Sequence, residues 1–393
     1  MKIVVTGIGV TSPVGNNKTA FWSALLKGTT GLGQPSRFSS PAAACGELRD
    51  FEFETLFPDR RFRRAASVSK YALVATREAI VDAGVNPEEE LSGAGLAVGV
   101  THGAIDYSCD FHRGIALEGP LGASPALFSD SVLNAATGSL SLAFGIKGPT
   151  HTLIGGSPVG LKAAALGAEL ISDGRADMCV VCAAEALNER VVEAYGKFNL
   201  VAGGKRGRSD KGAPGFVPSE GACAFVIESL DRANDRGVEP IAEVAGWGFS
   251  DSGPLRESLV SSLDRAYAAA GLDANGIGCV FAGFNGGAHD GTEDDLFEEQ
   301  GYGGTPVVCV KRNTGESFGV ASALSLAAAA LSLKEGVIPP YTVREERVAG
   351  GSLVERQKPY MELDMGGALV SSTGILGEAG CMILKKHRNG SKD

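Results

Sequence analysis

Positive charge is scarce in this chain: 36 Lys and Arg face 46 Asp and Glu, for a formal net charge of −10 over 393 residues. That balance leaves no basic stripe to neutralise phosphates, which argues against a nucleic-acid partner. Histidine is scarcer still, with five residues, and the eight cysteines are too few for a disulfide scaffold in a chain of this length. Most cysteines sit in apolar, strand-like settings such as Met178-Cys179-Val180-Val181-Cys182 and Val308-Cys309-Val310, and read as buried free thiols. The CxxC spacing of Cys179 and Cys182 lacks a second Cys/His pair, so the structural reading is preferred over zinc or redox chemistry and no metal is expected. No apolar run reaches the ~18 residues of a membrane span. The opening stretch, Met1–Val10, meets Gly7 and Gly9 before a leader-like segment can build. The expectation is a cytoplasmic protein without membrane contact. Glycine is the opposite extreme, 55 residues, roughly twice the usual share of ~7%. It shows neither a G-x-y period nor a low-complexity block, which excludes collagen and linkers.

What is present alternates. Strand-like Lys2–Thr6 precedes helix-like Phe21–Lys27; Ala66–Ala83 precedes Gly95–Gly99; Pro158–Asp173 precedes Asp177–Ala183. A second series begins near Ile241 and runs through Ser258–Ala270, Cys279–Phe281, Val307–Val310, Val320–Leu333 and Ala368–Ser371. Such alternation predicts an α/β architecture with parallel strands and helices on both faces. The Ala/Leu-rich run Val320–Leu333 reads as a buried helix. The polar stretch 230–237 separates the series, giving an N-terminal half, residues 1–235, a C-terminal half, 236–388, and a polar tail, 389–393. The two series echo each other: Thr152–Ser157 and Val308–Asn313 are each a strand breaking into a turn, and each leads to an alanine-rich helix closed by Asp173-Gly174 or Glu335-Gly336. The repeat suggests duplication, with two helix N-termini, each favouring negative charge, facing one crevice.

The opening strand and turn, Val4-Val5-Thr6-Gly7-Ile8-Gly9-Val10-Thr11-Ser12-Pro13-Val14-Gly15, does not fit a dinucleotide-binding G-x-G-x-x-G. Ser12 takes the third glycine slot and Pro13 would interrupt the following helix. Taken with Asn134-Ala135-Ala136-Thr137-Gly138, Gly145-Ile146-Lys147-Gly148-Pro149, Phe216–Ala222 and Gly374-Ile375-Leu376-Gly377, it resembles the β-ketoacyl synthases of fatty-acid and polyketide assembly over nearly the whole chain. Glu220 and Gly221 resemble that family's Gly-Glu-Gly stretch, with Ser219 for the first glycine. Ile375 stands where the C-terminal loop of the family carries phenylalanine. The resemblance implies a thiolase-like fold, two duplicated αβ halves in a layered αβαβα arrangement.

A condensing synthase needs a cysteine thiolate to hold the acyl chain and two histidines for decarboxylation and enolate stabilisation. By the resemblance, Ser157 occupies the cysteine position, Phe284 the first histidine and Glu316 the second, while Lys311 and Gly315 are retained with Glu220, Gly374 and Gly377 as scaffold. Phenylalanine donates no hydrogen bond, and a carboxylate would repel an enolate. The pattern resembles the chain length factor, the non-catalytic subunit of type II polyketide synthases, although many such subunits carry glutamine at the position of Ser157. The resemblance implies an active ketosynthase as heterodimer partner, acyl chains arriving on a phosphopantetheinyl acyl carrier protein that docks mainly on that partner, and no cofactor of its own. It also places a tunnel and interface on Thr101–Gly122 and Leu127–Phe144, with Tyr107, Phe111, His112 and Phe128 supplying bulk and Asn134 nearby.

Other readings compete. His289, in Ala288-His289-Asp290-Gly291-Thr292, is either a displaced catalytic histidine or a loop residue, and His102, His112, His151 and His387 read as bystanders without a paired carboxylate. Arg60-Arg61-Phe62-Arg63-Arg64 reads as a solvated start of the helix running to Ala83, an ion-pair set or a carrier contact, and Gly203–Arg208 as a mobile loop. Ser157 with Glu316 or His289 as base would make an acyltransferase or hydrolase, and a homodimeric scaffold would keep the fold without polyketide chemistry.

Overall fold

A computed structural model describes the chain except residues 41, 203–214, 252, 288, 346–353 and 388–393 and the side chains of 343–345 and 354–357. The basic stretch 203–208 and the tail 389–393 therefore lie outside the described residues.

Ten strands build the frame: β1 (Ile3–Thr11), β2 (Gly95–Val100), β3 (Thr150–Ile154), β4 (Met178–Glu185), β5 (Gly221–Ser229), β6 (Ala242–Ser250), β7 (Cys279–Phe281), β8 (Val307–Val308), β9 (Gly367–Thr373) and β10 (Ala379–Lys385). From the centre outward the N-terminal half runs β1-β5-β4-β2-β3 and the C-terminal half β6-β10-β9-β7-β8. The order is the same, and so are the directions: the two inner junctions of each half are antiparallel and the two outer ones parallel. Residues Ile3–Val5 of β1 pair with Ala242–Val244 of β6 and join the halves edge to edge. The hairpin Tyr341–Glu345/Val354–Lys358 extends the sheet beyond β8.

The mixed directions correct the expectation of parallel strands. In the C-terminal half, β9 and β10 are joined through Gly374–Glu378, too short for a crossover helix, and a hairpin of that length pairs antiparallel.

Eight helices matter for the site: α1 (Ser67–Asp82), α2 (Ile105–Glu118), α3 (Pro125–Ser131), α4 (Ala135–Phe144), α5 (Val159–Ser172), α6 (Leu255–Ala270), α7 (Asp290–Glu299) and α8 (Gly319–Glu335). Helices α5 and α8 fill the space between the halves, and their side chains share one core with inward-facing residues of both sheet halves. A second core lies under α1 and α4, and a third under α6 and α7. The result is the layered thiolase-like fold. Every residue of α8 from Gly319 to Leu333 is buried, as a helix apolar on all sides must be.

Glycine sets the layer spacing at matched places. A Cβ at Gly7 or Gly9 of β1 would collide with the carbonyl oxygens of Ala79 and Ala75 on α1, and one at Gly246 or Gly248 of β6 with those of Ala266 and Ser262 on α6. The Gly-x-Gly of the opening strand is therefore a helix-packing surface, repeated in the second half. Helices α5 and α8 cross in the same way: a Cβ at Gly160 would strike the Gly319 carbonyl oxygen. The cluster around Arg60 is not the start of α1. Residues Arg60–Phe62 form a separate 3-10 turn, with Arg61 paired to Asp59 at 2.6 Å, and α1 begins at Ser67.

Candidate functional site

The crossing of α5 and α8 brings two turns together. After β3 the chain passes Gly155, Gly156 and Ser157 into α5; after β8 it passes one helical turn, Lys311–Thr314, then Gly315 at φ 80°, Glu316, Ser317 and Phe318 into α8. The second turn is tied to the N-terminal half, since Glu316 N–H donates to Val217 O at 2.7 Å and Ser219 N–H donates to Glu316 O at 3.0 Å. Ser157 and Glu316, far apart in sequence, thereby meet: Ser157 Oγ donates to Glu316 Oε1 at 3.4 Å.

Glu316 is buried and fully engaged. It also accepts from Phe318 N–H at 2.7 Å, Asn285 Nδ2 at 3.2 Å and Lys311 Nζ at 2.7 Å. Lys311 Nζ donates in addition to Gly283 O at 2.8 Å. Burial pushes the Lys311 ammonium down, but the Glu316 carboxylate outweighs that effect and holds it above its ordinary value. The pair is thus an ammonium–carboxylate couple, satisfied inside a low-dielectric interior.

Behind it lies a second buried carboxyl. Glu293 Oε1 accepts from Gly283 N–H at 3.0 Å and from Ser371 Oγ, while Oε2 has no hydrogen-bond partner. Burial raises this carboxyl to about 7, with Ser371, the Gly283 amide and Lys311 acting the other way.

In front of Ser157 opens a cleft of about 220 Å³ lined by Thr101, Gly156, Ser157, Tyr195, Phe318, Ile375, Leu376 and Glu378. None of these lining residues is a cysteine or histidine. Ser157 has no positive φ; the strained backbone at this crossing is that of Phe318, at φ 53° and ψ −122°, a region that costs on the order of 1–3 kcal/mol for a non-glycine residue. Glu378 folds against Gly156 and Gly374, where side chains would collide with it, and accepts from Leu376 N–H at 3.0 Å. A carboxylate so placed disfavours an anion in the cleft.

Phe284 does not face this cleft. It packs on Phe297, 6.3 Å between ring centroids, and lines a neighbouring cavity of about 420 Å³ with Asn285, Cys309, Lys311 and Glu316. His289 lies at the start of α7, with Nε2 3.3 Å from Ile375 O, and makes no hydrogen bond or ion pair with Ser157 or Glu316. Glu220 is a buried clamp: it accepts from Arg37 Nη2 at 2.6 Å, Leu48 N–H at 2.8 Å, Tyr71 Oη at 3.1 Å and Leu187 N–H at 3.1 Å. Gly377, at φ 91°, makes the turn between β9 and β10 that Gly374 opens. Cys179 and Cys182 are buried on β4, their thiols pushed up to about 12 by burial. Among the described residues no group of three or more His, Cys, Asp or Glu is placed to hold a metal. None of the described helices is long and apolar enough to cross a membrane.

His102 has a carboxylate beside it that the sequence did not show. It follows β2, its Nδ1 lies 3.3 Å from Glu185 Oε1, and its Nε2 lies 3.0 Å from Tyr195 Oη. Glu185 ends β4, 83 positions away, so no local spacing could announce the pair. Asn285, Glu293, Tyr195 and Phe318 also escaped the sequence reading. The one visible hint was the retained Lys311 with an acid at Glu316.

The predicted tunnel segment forms a raised helical pair. Neither α2 nor α3 has a buried residue. Phe111 meets Phe128 at 5.5 Å between centroids, His112 is exposed beside Phe111, and Tyr107 Oη donates to Arg64 O at 2.9 Å. Phe128 is 55% exposed and Leu121 97%. Asn134 caps α4 by position only, without a side-chain hydrogen bond. Beside α4, β3 is an edge strand of the sheet among the described residues.

Comparison with known proteins agrees with the geometry. The family model "Beta-ketoacyl synthase, N-terminal domain" matches residues 1–233 and "Beta-ketoacyl synthase, C-terminal domain" residues 241–343. The chain is 27% identical over 410 residues to 3-oxoacyl-[acyl-carrier-protein] synthase 2 of Vibrio harveyi, covering 98% of each. It is 30% identical over 377 residues to the tetracenomycin polyketide synthase ketoacyl synthase alpha subunit of Streptomyces glaucescens, covering 88% of each. Among solved structures, the ishigamide ketosynthase/chain length factor matches with a TM-score of 0.87 at 24% identity, over 98% of this chain and 99% of that one. At that identity the likeness carries the fold.

Proposed function

The chain belongs to the β-ketoacyl synthase family, and from that premise we propose that it is a ketosynthase-like subunit without condensing activity of its own, a chain length factor that works beside an active ketosynthase. The observation that carries the reading is the state of Glu316: the carboxylate that Ser157 Oγ meets is already matched to Lys311 and two other donors besides Ser157. It neither activates a nucleophile nor stabilises an enolate, and the cleft offers no thiol or imidazole in its place.

The surface supports a partner. Leu117 and Leu121, with Phe128, Leu142 and Ile154, are large apolar side chains left exposed on or beside α2, α3 and β3, a concentration that marks an interaction face. An unpaired sheet edge invites a strand from a second chain. In the proposed heterodimer the partner's acyl chain grows into a tunnel whose floor includes Phe111 and Phe128. The acidic surface disfavours an acidic carrier protein, so carrier docking falls mainly on the partner.

One contact favours a second reading: Ser157 Oγ on Glu316 Oε1 is the start of a serine acyltransferase or hydrolase. A homodimeric scaffold would use the same exposed face. Co-expression with a synthase that retains Cys-His-His separates these. The heterodimer reading expects a stable complex, product made only by the pair, and longer products when Phe111 is replaced by alanine. Condensation by this chain alone sinks it. An acyl adduct on Ser157 after incubation with acyl thioesters favours the serine enzyme, and a lone homodimer the scaffold.

A further inference from the structure

Three hydroxyl side chains line the cleft in front of Ser157, and two have their hydrogens committed elsewhere. Ser157 Oγ donates to Glu316 Oε1 at 3.4 Å. Tyr195 Oη lies 3.0 Å from His102 Nε2; Glu185 Oε1, 3.3 Å from Nδ1, draws the ring hydrogen to its own side, so the phenol is the donor to Nε2. The third hydroxyl, Thr101 Oγ1, has no hydrogen-bond partner. The one charged side chain on the wall is Glu378, and no lysine or arginine lines the cleft. Its carboxylate occupies room that two glycines leave, since a Cβ on Gly156 or Gly374 would collide with Oε1, and Oε2 accepts from Leu376 N–H at 3.0 Å. Two aromatic rings complete the wall. Phe318 is fixed by a cage of His102, Tyr195 and Phe216, with ring centroids 4.6, 5.4 and 5.8 Å away, and it stacks on Tyr195 at 27°.

The wall is therefore rich in acceptors and π faces, poor in side-chain hydrogens to give, and negative. We propose that the cleft is a binding site for a small organic cation, a primary ammonium on a short alkyl chain, with Glu378 as its counter-ion and Tyr195 and Phe318 as its aromatic walls. The ligand brings the donors and the positive charge that the wall lacks, and its alkyl part lies against Ile375 and Leu376. The Tyr195 phenol senses the same polarity: burial, then Glu185, Glu316 and Glu378, push it up to about 12. Helix N-termini do not reverse the sign. The Phe318 N–H that opens α8 is already taken by Glu316 at 2.7 Å, and the end of α5 contributes about half a positive charge, less than the full charge of Glu378. The site requires neither a partner subunit nor condensation chemistry.

The test uses three probes with the same alkyl chain, n-butylammonium, n-butanol and butyrate, titrated into the purified chain by calorimetry at neutral pH and low ionic strength, where a single charge is least screened. Butylammonium should bind at least about tenfold more tightly than butanol, and butyrate more weakly than either. In Glu378→Gln the preference for butylammonium over butanol should fall below about threefold. A chain with a net charge of −10 also gathers ammonium at its surface; Asp264→Asn, exposed on α6, removes one such charge and should leave the preference intact. Equal binding of ammonium and alcohol, or a preference that Glu378→Gln leaves unchanged or that Asp264→Asn removes as well, overturns the site. Should Glu378→Gln prove insoluble, the native chain decides: the methyl resonances of Thr101, Ile375 and Leu376 should move with butylammonium and not with butyrate, and the proposal fails if they stay still. A ketosynthase complex that forms while no cation binds overturns the site and leaves the subunit reading standing; cation binding by a chain that forms no such complex does the reverse.

Discussion

The two halves of this molecule share a frame and differ in what they bury at the turn before the central helix. Strand order, strand direction and glycine contacts agree between them. Before α5 the turn is small and uncharged: Gly155, Gly156 and a relaxed Ser157. Before α8 it carries Lys311, Glu316 and a strained Phe318, with Glu293 behind. Duplication preserves the positions at which helices cross, because a clash there would unseat a whole layer. The chemistry of the turn differs between the halves: Glu316 is bonded to Lys311, Asn285 and the Phe318 N–H, and only Ser157 reaches it from the other turn. Of these two turns, the one before α8 carries the buried charge, and that charge is paired internally.

The largest effect should come from breaking that pairing. Lys311→Met leaves Glu316 buried without its cation, and we expect a loss of about 3–5 kcal/mol in denaturant unfolding, with no comparable loss for Ser157→Ala in the other half. A change below about 1 kcal/mol would mean that the couple is not the ionised pair described here.

The shared frame is tested by matched overpacking. Gly9→Ala and Gly248→Ala each place a methyl against a helix carbonyl, and each should cost about 1–3 kcal/mol, similar in size. A large cost in one half and none in the other would show that the symmetry of contact is only nominal.

Glu293 sharpens the contrast through pH. Its carboxyl is raised in the folded chain, to about 7, so between its ordinary value and about 7 the folded state binds the proton more tightly than the unfolded state. Stability from this group is therefore present at low pH and falls as pH rises through that window. Glu293→Gln imitates the protonated form. The variant should gain on the native chain by about 2 kcal/mol between pH 5 and pH 8, read from unfolding curves at each pH. A difference independent of pH would refute the assignment.

Much of the frame was legible in the chain. The strand at Cys279–Phe281 falls where its apolar run predicts, α5 and α8 start and stop within two residues of their expected limits, and the acid–glycine endings mark their C-termini, Gly174 and Gly336 both having positive φ. These features are local, set by side-chain periodicity and by glycine's freedom at a helix end. The sequence also led to the expectation that Ser157, Phe284 and Glu316 stand where the family carries a thiol and two imidazoles, and it is on that expectation that the proposed function rests. The site was legible only in part. Ser157 and Glu316 do meet, but Phe284 packs on Phe297 beside a neighbouring cavity, and the contacts of His102 with Glu185 and Tyr195 were invisible.

What the amino-acid order determined by itself is therefore the run of main strands and helices and their repetition in two series. What tertiary structure alone decided is how the survivors pair: Lys311 with Glu316, His102 with Glu185, Phe318 within its cage, Gly9 beneath Ala75. The reason is one of range. Backbone preference and hydrophobic period act over a few residues, whereas a buried charge or ring takes its meaning from whichever distant segment packing brings to it, and the fold fixes that choice through layer spacing and helix crossing.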